Sequence, residues 1–217
     1  MNKALFYCVM LLLMACETDS YEKGQGRYSL MQADLSELAV DAEKRAVAFT
    51  TDDGDAYRIA NPFTAQWIST PDTTYRMAIY YNKVEGQQAE VVGVNAVSTL
   101  KPREHWRVRE QPDDPVGIES AWIAKNGKYI NLGLMFKSGR IEDEEGPHVI
   151  GIVQDTVLVN TDQTRTAYYR LLHDQGDTPE FYTTRHYVSI LLPEERPDSV
   201  RLSMNTYQGV IERLFPL

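Results

Sequence analysis

The sequence predicts an all-β protein in which a small five-stranded barrel is followed by a β-sandwich. Three observations predict this fold class. Short runs of β-branched and aromatic residues alternate with polar ones, turn dipeptides separate these runs at intervals of about 8–15 residues, and no segment shows a sustained helical period. With 43% hydrophobic and 24% charged residues, the chain has the composition of a globular protein that can bury a core.

The N-terminus has the pattern of a bacterial lipoprotein signal. Lys3 precedes an apolar run over residues 4–15, which is too short to cross a bilayer core of about 30 Å as a helix. The run ends in Leu13-Met14-Ala15-Cys16, which resembles the bacterial lipobox. We therefore expect residues 1–15 to be a lipoprotein signal peptide. A plain secretory signal and an accidentally apolar N-terminus are the alternatives.

Cleavage before this cysteine would make Cys16 the lipid attachment site of the mature chain. Two or three acyl chains anchor a protein firmly, because each buried methylene contributes about 0.8 kcal/mol. Residues 16–26 are polar, acidic and rich in turn formers, which predicts a flexible tether between the anchor and the folded part. The membrane is thus an expected partner, contacted through the lipid.

Residues 27–100 are expected to form the barrel. The dipeptide Asp53-Gly54 predicts a hairpin because both residues tolerate positive φ, and Asn61-Pro62 is expected to end the third strand, since proline has no N–H to donate. Five short strands in about 75 residues match a small Greek-key barrel such as the OB-fold, although periodicity alone leaves a small sandwich open. The predicted strands are 27–41, 44–51, 57–59, 75–81 and 89–99.

A proline-rich segment over 101–117 predicts a stiff extended connector and the domain boundary. Residues 118–217 then carry about seven strand-like runs, which is typical of a β-sandwich. The first two runs flank Asn126-Gly127, another hairpin signal. The later runs are 149–153, 156–160, 166–173, 181–191 and 199–205, with a tail at 210–215.

Together these features resemble the NigD-like lipoproteins of Bacteroidetes. The matching segments are Tyr129-Ile130-Asn131-Leu132-Gly133-Leu134, Leu171-Leu172-His173-Asp174 and Val200-Arg201-Leu202-Ser203-Met204. The resemblance implies an N-terminal OB domain and a C-terminal β-sandwich, and it implies no set of catalytic residues. The acidic tether also resembles the export signals of surface lipoproteins in these bacteria. We therefore expect an outer-membrane lipoprotein on the periplasmic or the external face.

Composition and motifs argue against several function classes. A formal charge of −9 disfavours nucleic acid as a partner, and neither a nucleophile motif nor a glycine-rich phosphate loop is present. The four histidines are widely spaced, which favours structural or solvated roles, although a zinc site built from distant strands stays open. The acidic runs 52–55 and 142–145 fit a hairpin turn and a solvated loop better than a calcium loop. No cofactor, metal site or catalytic residue is predicted.

Exposed aromatic residues are the best candidates for a binding surface. Trp67 lies in a loop bounded by prolines, and Trp106 is surrounded by arginines, whereas Trp122 begins a hydrophobic strand and is expected in the core. Packing of Trp106 beneath arginine stems at the domain joint is an equally good interpretation.

These observations predict a non-enzymatic, lipid-anchored envelope protein that binds a ligand or another envelope protein. A glycan is the other candidate partner. Two alternatives stay open: an envelope hydrolase acting on glycans through scattered acids, and a structural or bacteriocin-immunity-type lipoprotein.

Overall fold

Five strands close into a barrel in the computed structural model, which describes residues 30–139 and 148–217. Strand β1 pairs antiparallel with both β2 and β4, and β3 pairs parallel with β5, so the order β1-β2-β3-β5-β4 closes on itself. The five-stranded barrel predicted from the sequence is confirmed. Its strands are β1 (Gln32–Val40), β2 (Ala46–Thr51), β3 (Ala56–Phe63), β4 (Thr73–Lys83) and β5 (Gln88–Ala96).

The barrel is filled by aromatic side chains. The rings of Phe49, Tyr57 and Tyr81 contact one another, with centroids 4.9–5.4 Å apart, and Leu38 and Ile79 are fully buried beside them. Burying each large apolar side chain stabilises the fold by roughly 1.5–3 kcal/mol. The alternation of inward and outward residues along each strand therefore fixes which face of β1 and β4 is left for other contacts.

The hairpin predicted at Asp53-Gly54 is confirmed. Gly54 has a φ of +92°, which L side chains rarely adopt, and its N–H donates to the carbonyl oxygen of Thr51 at 3.0 Å. This turn places Asp52 and Asp53 at one end of the barrel.

The prediction that Asn61-Pro62 ends the third strand is wrong, because β3 continues to Phe63. The Asn61 side chain exchanges two hydrogen bonds with the backbone of Val91, at 3.0 and 3.1 Å. The β2–β3 ladder also shifts register in this region. Pro62 is tolerated because side-chain bonds replace part of the backbone ladder here.

The rest of the described chain forms two facing sheets. One has the order β14-β13-β11-β10-β7, and the other has the order β6-β12-β9-β8, which confirms the predicted barrel-plus-sandwich class. Strand β9 pairs antiparallel with both β8 and β12 at the centre of the smaller sheet. The strands are β6 (Ser98–Leu100), β7 (Arg103–Glu104), β8 (Gly117–Ile123), β9 (Tyr129–Ser138), β10 (Val149–Val159), β11 (Arg165–Asp174), β12 (Tyr182–Leu191), β13 (Ser199–Thr206) and β14 (Gly209–Pro216).

Aliphatic residues dominate the core between the two sheets. Ile130, Leu132 and Leu134 of β9 are fully buried and face Leu202 and Met204 of β13 within one apolar cluster. Strand β9 is buried on both faces over its first six residues. The second face of β9 is covered by the barrel.

The connector predicted over 101–117 is packed against the sandwich. Strand β6 pairs with β12 and β7 pairs with β10, so residues 98–104 add a short strand to each sheet. Farther along, Asp113 and Val116 form bridges to His173 and Thr206. Pro102 has no donor for a ladder, and it lies between the two short strands rather than within either.

The two runs predicted at 149–153 and 156–160 form one strand, β10, with a bulge between Gln154 and Thr156. The signal peptide predicted over 1–15, Cys16, the tether over 16–26 and the acidic run 142–145 lie outside the described residues. Among the residues that are described, no helix has the length and apolar character needed to span a membrane.

Candidate ligand-binding groove

Arg76 of β4 links the barrel to the sandwich. It faces away from the barrel core, and its Nη1 and Nη2 donate to the Asp52 carboxylate at 2.6 and 2.7 Å. Its Nε donates to Ser189 Oγ at 3.0 Å, and Nη2 also donates to Asn131 Oδ1 at 3.1 Å. All four residues are buried. One guanidinium thus joins the barrel turn to strands β9 and β12.

The partners of Arg76 also bind one another. Asn131 Nδ2 donates to Asp52 Oδ2 at 2.8 Å, and Ser189 Oγ donates to Asn131 Oδ1 at 2.8 Å. The Tyr129 ring lies 4.1 Å from the guanidinium carbon of Arg76. Every charged group in this contact has a partner, which is the condition under which a buried ion pair is tolerated.

A second, more exposed set of bonds lies beside this contact. Glu37 of β1 accepts hydrogen bonds from Lys128 Nζ and Tyr129 Oη, both at 2.8 Å. Burial acts to raise the pKa of Glu37, but the hydrogen bonds from Lys128 and Tyr129 and the nearby positive charges outweigh it, so this pKa is lowered. Burial and the bond to Glu37 raise the pKa of Tyr129 to about 12. The barrel is therefore fixed on the sandwich by two adjacent polar contacts.

Beyond Arg76 the two surfaces separate and leave a groove. A cavity of about 600 Å³ and another of about 270 Å³ share Ala78, Tyr80 and Tyr187 as lining residues, so they adjoin, and we call the two together the groove. Trp122 of β8 lines the smaller part, and its ring meets that of Tyr187 edge-on at 6.2 Å. Tyr80, Trp122 and Tyr187, with Phe136 in the larger part, therefore line a site between the barrel and the sandwich.

A glycine in β9 allows this aromatic wall to form. A Cβ on Gly133 would lie 2.5 Å from Ser120 Oγ and 3.4 Å from the Tyr187 ring. Any larger residue would displace the neighbouring strand residue or the tyrosine. Gly133 therefore lets the Tyr187 ring lie close over the sheet.

The two ends of the groove differ in charge. The smaller part is lined by Asp34, Asp52 and Asp53, of which Asp34 accepts a hydrogen bond from Tyr81 at 2.9 Å and Asp53 pairs with the exposed Lys125. Burial, with the bond to Asp34, raises the pKa of Tyr81. The larger part is lined by Arg185, which pairs with Glu119, and by His148 and His186. The groove thus offers hydrogen-bonding groups of both signs around aromatic faces.

The larger part of the groove is backed by two hydrogen-bonded histidines, His148 and His173. His173 is 1% exposed; its Nδ1 lies 3.2 Å from the carbonyl oxygen of Asp114, and its Nε2 lies 2.9 Å from His148 Nδ1. A carbonyl oxygen only accepts, so His173 donates through Nδ1. With both rings neutral, His173 Nε2 accepts from His148 Nδ1, and His148 Nε2, which lies 3.3 Å from Ser138 Oγ, is an acceptor. One proton on each ring therefore satisfies this series of contacts.

Packing supports the neutral state of both rings. Phe136 lies 5.0 Å from the His148 ring, 5.0 Å from His173 and 5.6 Å from His186, measured between centroids. Burial lowers the pKa of His148, and the neighbouring His173 and His186 lower it further. Burial also lowers the pKa of His173, against the opposing effect of Asp114. Three histidines that are distant in sequence therefore meet around one phenylalanine.

The tryptophans predicted from the sequence lie elsewhere. Trp67 is 40% exposed and packs edge-on against Tyr75, and Trp106 is 66% exposed on a single 3₁₀ turn beside His105. Neither lines the groove, so their role in binding stays a prediction. The exposure of Trp106 disagrees with the alternative that it packs within the domain joint.

The expectation that Trp122 belongs to the core is wrong, since it is 37% exposed. Ala121 and Ile123 pack against the sandwich core, and the residue between them points outward because side chains alternate along a strand. In the described ranges, no group of three or more histidine, cysteine or acidic residues is arranged to hold a metal ion.

Comparison with known proteins identifies the fold. No protein-family model matches the chain, and no curated protein gives a significant match. A NigD-like immunity protein from Bacteroides caccae is 20% identical with a TM-score of 0.64, covering 84% of this chain and 91% of that one. A candidate toxin-related protein from Parabacteroides distasonis is 17% identical with a TM-score of 0.64, covering 86% and 93%.

A third solved structure, a candidate lipoprotein from Bacteroides fragilis, is 12% identical with a TM-score of 0.58, covering 85% of this chain and 96% of that one. TM-scores of 0.58–0.64 over 84–86% of this chain show a shared fold, whereas a fold leaves activity undetermined. The resemblance noted in the sequence is therefore confirmed at the level of the fold: the chain has the fold of a solved NigD-like protein of Bacteroides.

Proposed function

We propose that this protein is a non-enzymatic, lipid-anchored protein of the bacterial cell envelope that binds a glycan in the groove. Acylation of Cys16 would hold the protein at the membrane. Tyr80, Trp122 and Tyr187 would pack against the apolar faces of sugar rings, while the polar groups at the two ends would bind hydroxyl groups.

One observation carries this proposal: the groove is an aromatic-lined site on a rigid support. Its walls belong to strands whose relative position is held by the buried contact of Arg76 with Asp52, Asn131 and Ser189. Binding sites gain affinity when little ordering is needed on association. The groove meets this condition, because strands rather than loops supply its aromatic residues.

A glycan array tests the groove directly. The full-length lipidated protein, held in detergent micelles, is screened beside Trp122→Ala, Tyr187→Ala and a matched control, Trp106→Ala, which removes an exposed tryptophan outside the groove. We expect the two groove variants to lose binding at least tenfold, with the control unchanged. Absence of glycan binding by the parent protein, or equal loss in all three variants, would contradict a glycan site in the groove.

Acylation is tested separately. Cells are labelled with a clickable palmitate, and the parent chain is compared with Cys16→Ala after fractionation of the envelope. We expect label only on the parent, and we expect the parent in the outer-membrane fraction. Label retained by Cys16→Ala would refute the proposed attachment site, whatever the groove binds.

An immunity-type role is the second candidate, favoured by the shared fold with the NigD-like immunity protein. A protein partner would then occupy the groove.

A glycan hydrolase has less support. A glycosidase needs a general acid, which is a carboxyl group with a raised pKa. Among the described residues, hydrogen bonds lower the pKa of three carboxyl groups: Glu37, Asp41 and Asp162.

A further inference from the structure

A second cavity lies where the edges of the two sandwich sheets separate. Strand β6 is the edge of the smaller sheet. In the larger sheet, the outer side of β10 pairs with β7, and among the described residues this pairing involves only Val153 and Gln154 of β10. The earlier part of β10, over 149–152, therefore faces β6 across an open gap. A cavity of about 480 Å³ occupies this gap, and we call it the edge cavity.

The walls of the edge cavity are mainly apolar. The Leu172 side chain points to the outer face of its sheet. It is only 6% exposed, because residues of the segment after β6 lie over it and line the same cavity. A volume of about 480 Å³ with apolar walls and few polar groups is typical of a small-molecule site. The apolar lining residues are Leu100, Val108, Val149, Ile150, Ile152 and Leu172.

The rim of the edge cavity carries excess positive charge. Lys101 and Arg103 lie on it with Glu110, and in the described part of the chain neither cation forms an ion pair or a side-chain hydrogen bond. The surrounding segment 101–110 contains four cations and two acids in a protein whose net charge is −9. Two unpaired cations beside an apolar cavity are complementary to an anion with a hydrocarbon chain.

We propose that the edge cavity binds an amphipathic anion, with its hydrocarbon chain between β6 and β10 and its carboxylate or phosphate group at Lys101 and Arg103. This site is separate from the groove, and it does not depend on the function proposed for the groove. A free fatty acid and a lysophospholipid share the required chemistry. They are distinguished by using palmitate and lysophosphatidylglycerol as separate ligands.

The experiment uses the full chain with Cys16→Ala, so that neither an attached acyl chain nor detergent competes. Palmitate and lysophosphatidylglycerol, each below its micelle concentration, displace a dansyl-labelled fatty acid. We expect saturable binding of at least one of them. Gly151 lines the cavity, and a Cβ there would make only an ordinary contact with Leu172 at 3.9 Å, so Gly151→Leu should fill the cavity without disturbing the fold and should abolish displacement.

The charge of the rim is tested by Arg103→Glu against Arg109→Glu, which makes the same charge change in the same segment outside the cavity lining. We expect Arg103→Glu to weaken binding about tenfold and Arg109→Glu to change it less than twofold. Hexadecanol, which lacks the anion, should bind both variants equally. No saturable binding, full binding by Gly151→Leu, or equal loss in the two arginine variants would overturn the proposal. Trp122→Ala should leave palmitate binding unchanged.

Discussion

On the outer face of the four-stranded sheet, Asn131 and Ser189 are buried beneath Arg76, whereas Trp122, which pairs with Asn131 across β8 and β9, and Tyr187, two residues before Ser189, are exposed. We call the buried group the closed end and the exposed group beside it the open end. At the closed end each polar group has a partner within the chain. At the open end Trp122 and Tyr187 contact each other edge-on and stay partly exposed, and a cavity separates them from the barrel residues Ala78 and Tyr80. The difference indicates that the closed end supplies rigidity and the open end supplies the binding surface.

The largest expected effect comes from breaking the closed end. Arg76→Leu should lower the free energy of unfolding by about 3–5 kcal/mol, because Asp52 would be left buried without its cation. Chemical denaturation monitored by tryptophan fluorescence measures this loss. Lys125→Ala is the matched control, since it breaks the exposed pair with Asp53 and should leave the free energy of unfolding nearly unchanged.

Equal losses in the two variants would mean that the closed end is no stronger than a surface ion pair. A double variant, Arg76→Leu with Asp52→Asn, refines the test. Removing both charges should recover part of the stability, because the buried carboxylate is the main cause of the loss. No recovery would show that Arg76 acts mainly through packing on Tyr129.

The closed end also shows what the sequence does not predict. The turns at Gly54 and Gly127 were predictable because a dipeptide determines them, and both glycines have positive φ. The bonds from Arg76 to Asn131 and Ser189 join residues 55 and 113 positions apart. No local pattern marks such partners, so the contact that positions the groove appears only in the folded chain.

The open end was partly predictable. Trp122 lies between two residues that face the core, so alternation along β8 indicated an outward position that its hydrophobic surroundings obscured. The histidine cluster was not predictable. His148 and His173 meet only because the β10–β11 register pairs Ile150 with His173, and that register depends on a bulge farther along β10. Sequence spacing alone therefore favoured separate histidines.

Acid should weaken the histidine cluster behind the groove and the Glu37 contact beside Arg76 in different pH ranges, an effect smaller than that of Arg76→Leu. The pKa values of His148 and His173 lie below their ordinary value of 6.5, so the unfolded chain binds protons first and stability falls as the pH drops below 6.5. The ordinary pKa of Glu37 is 4.5, and its pKa in the folded protein is lower. Its contribution is present above pH 4.5 and is lost as the pH falls further.

Unfolding free energies measured from pH 8 to pH 3.5 test this order. His148→Gln should flatten the decline between pH 6.5 and 5, and Glu37→Gln should flatten the decline below pH 4.5. A single decline that neither His148→Gln nor Glu37→Gln alters would remove the link between these groups and acid sensitivity.

The smallest expected effect comes from the open end itself. Trp122→Ala should change the free energy of unfolding by about 1 kcal/mol or less, because the side chain lies on the surface of the sheet. Leu132→Ala, on the adjacent strand but facing the core, should cost about 2–5 kcal/mol. Both variants are compared by chemical denaturation, monitored by circular dichroism because one of them lacks a tryptophan.

If Trp122→Ala destabilises the protein as much as Leu132→Ala, the aromatic wall belongs to the core, and the contrast between a rigid closed end and an available open end fails. A small loss of stability together with a large loss of glycan binding would show instead that the wall serves recognition.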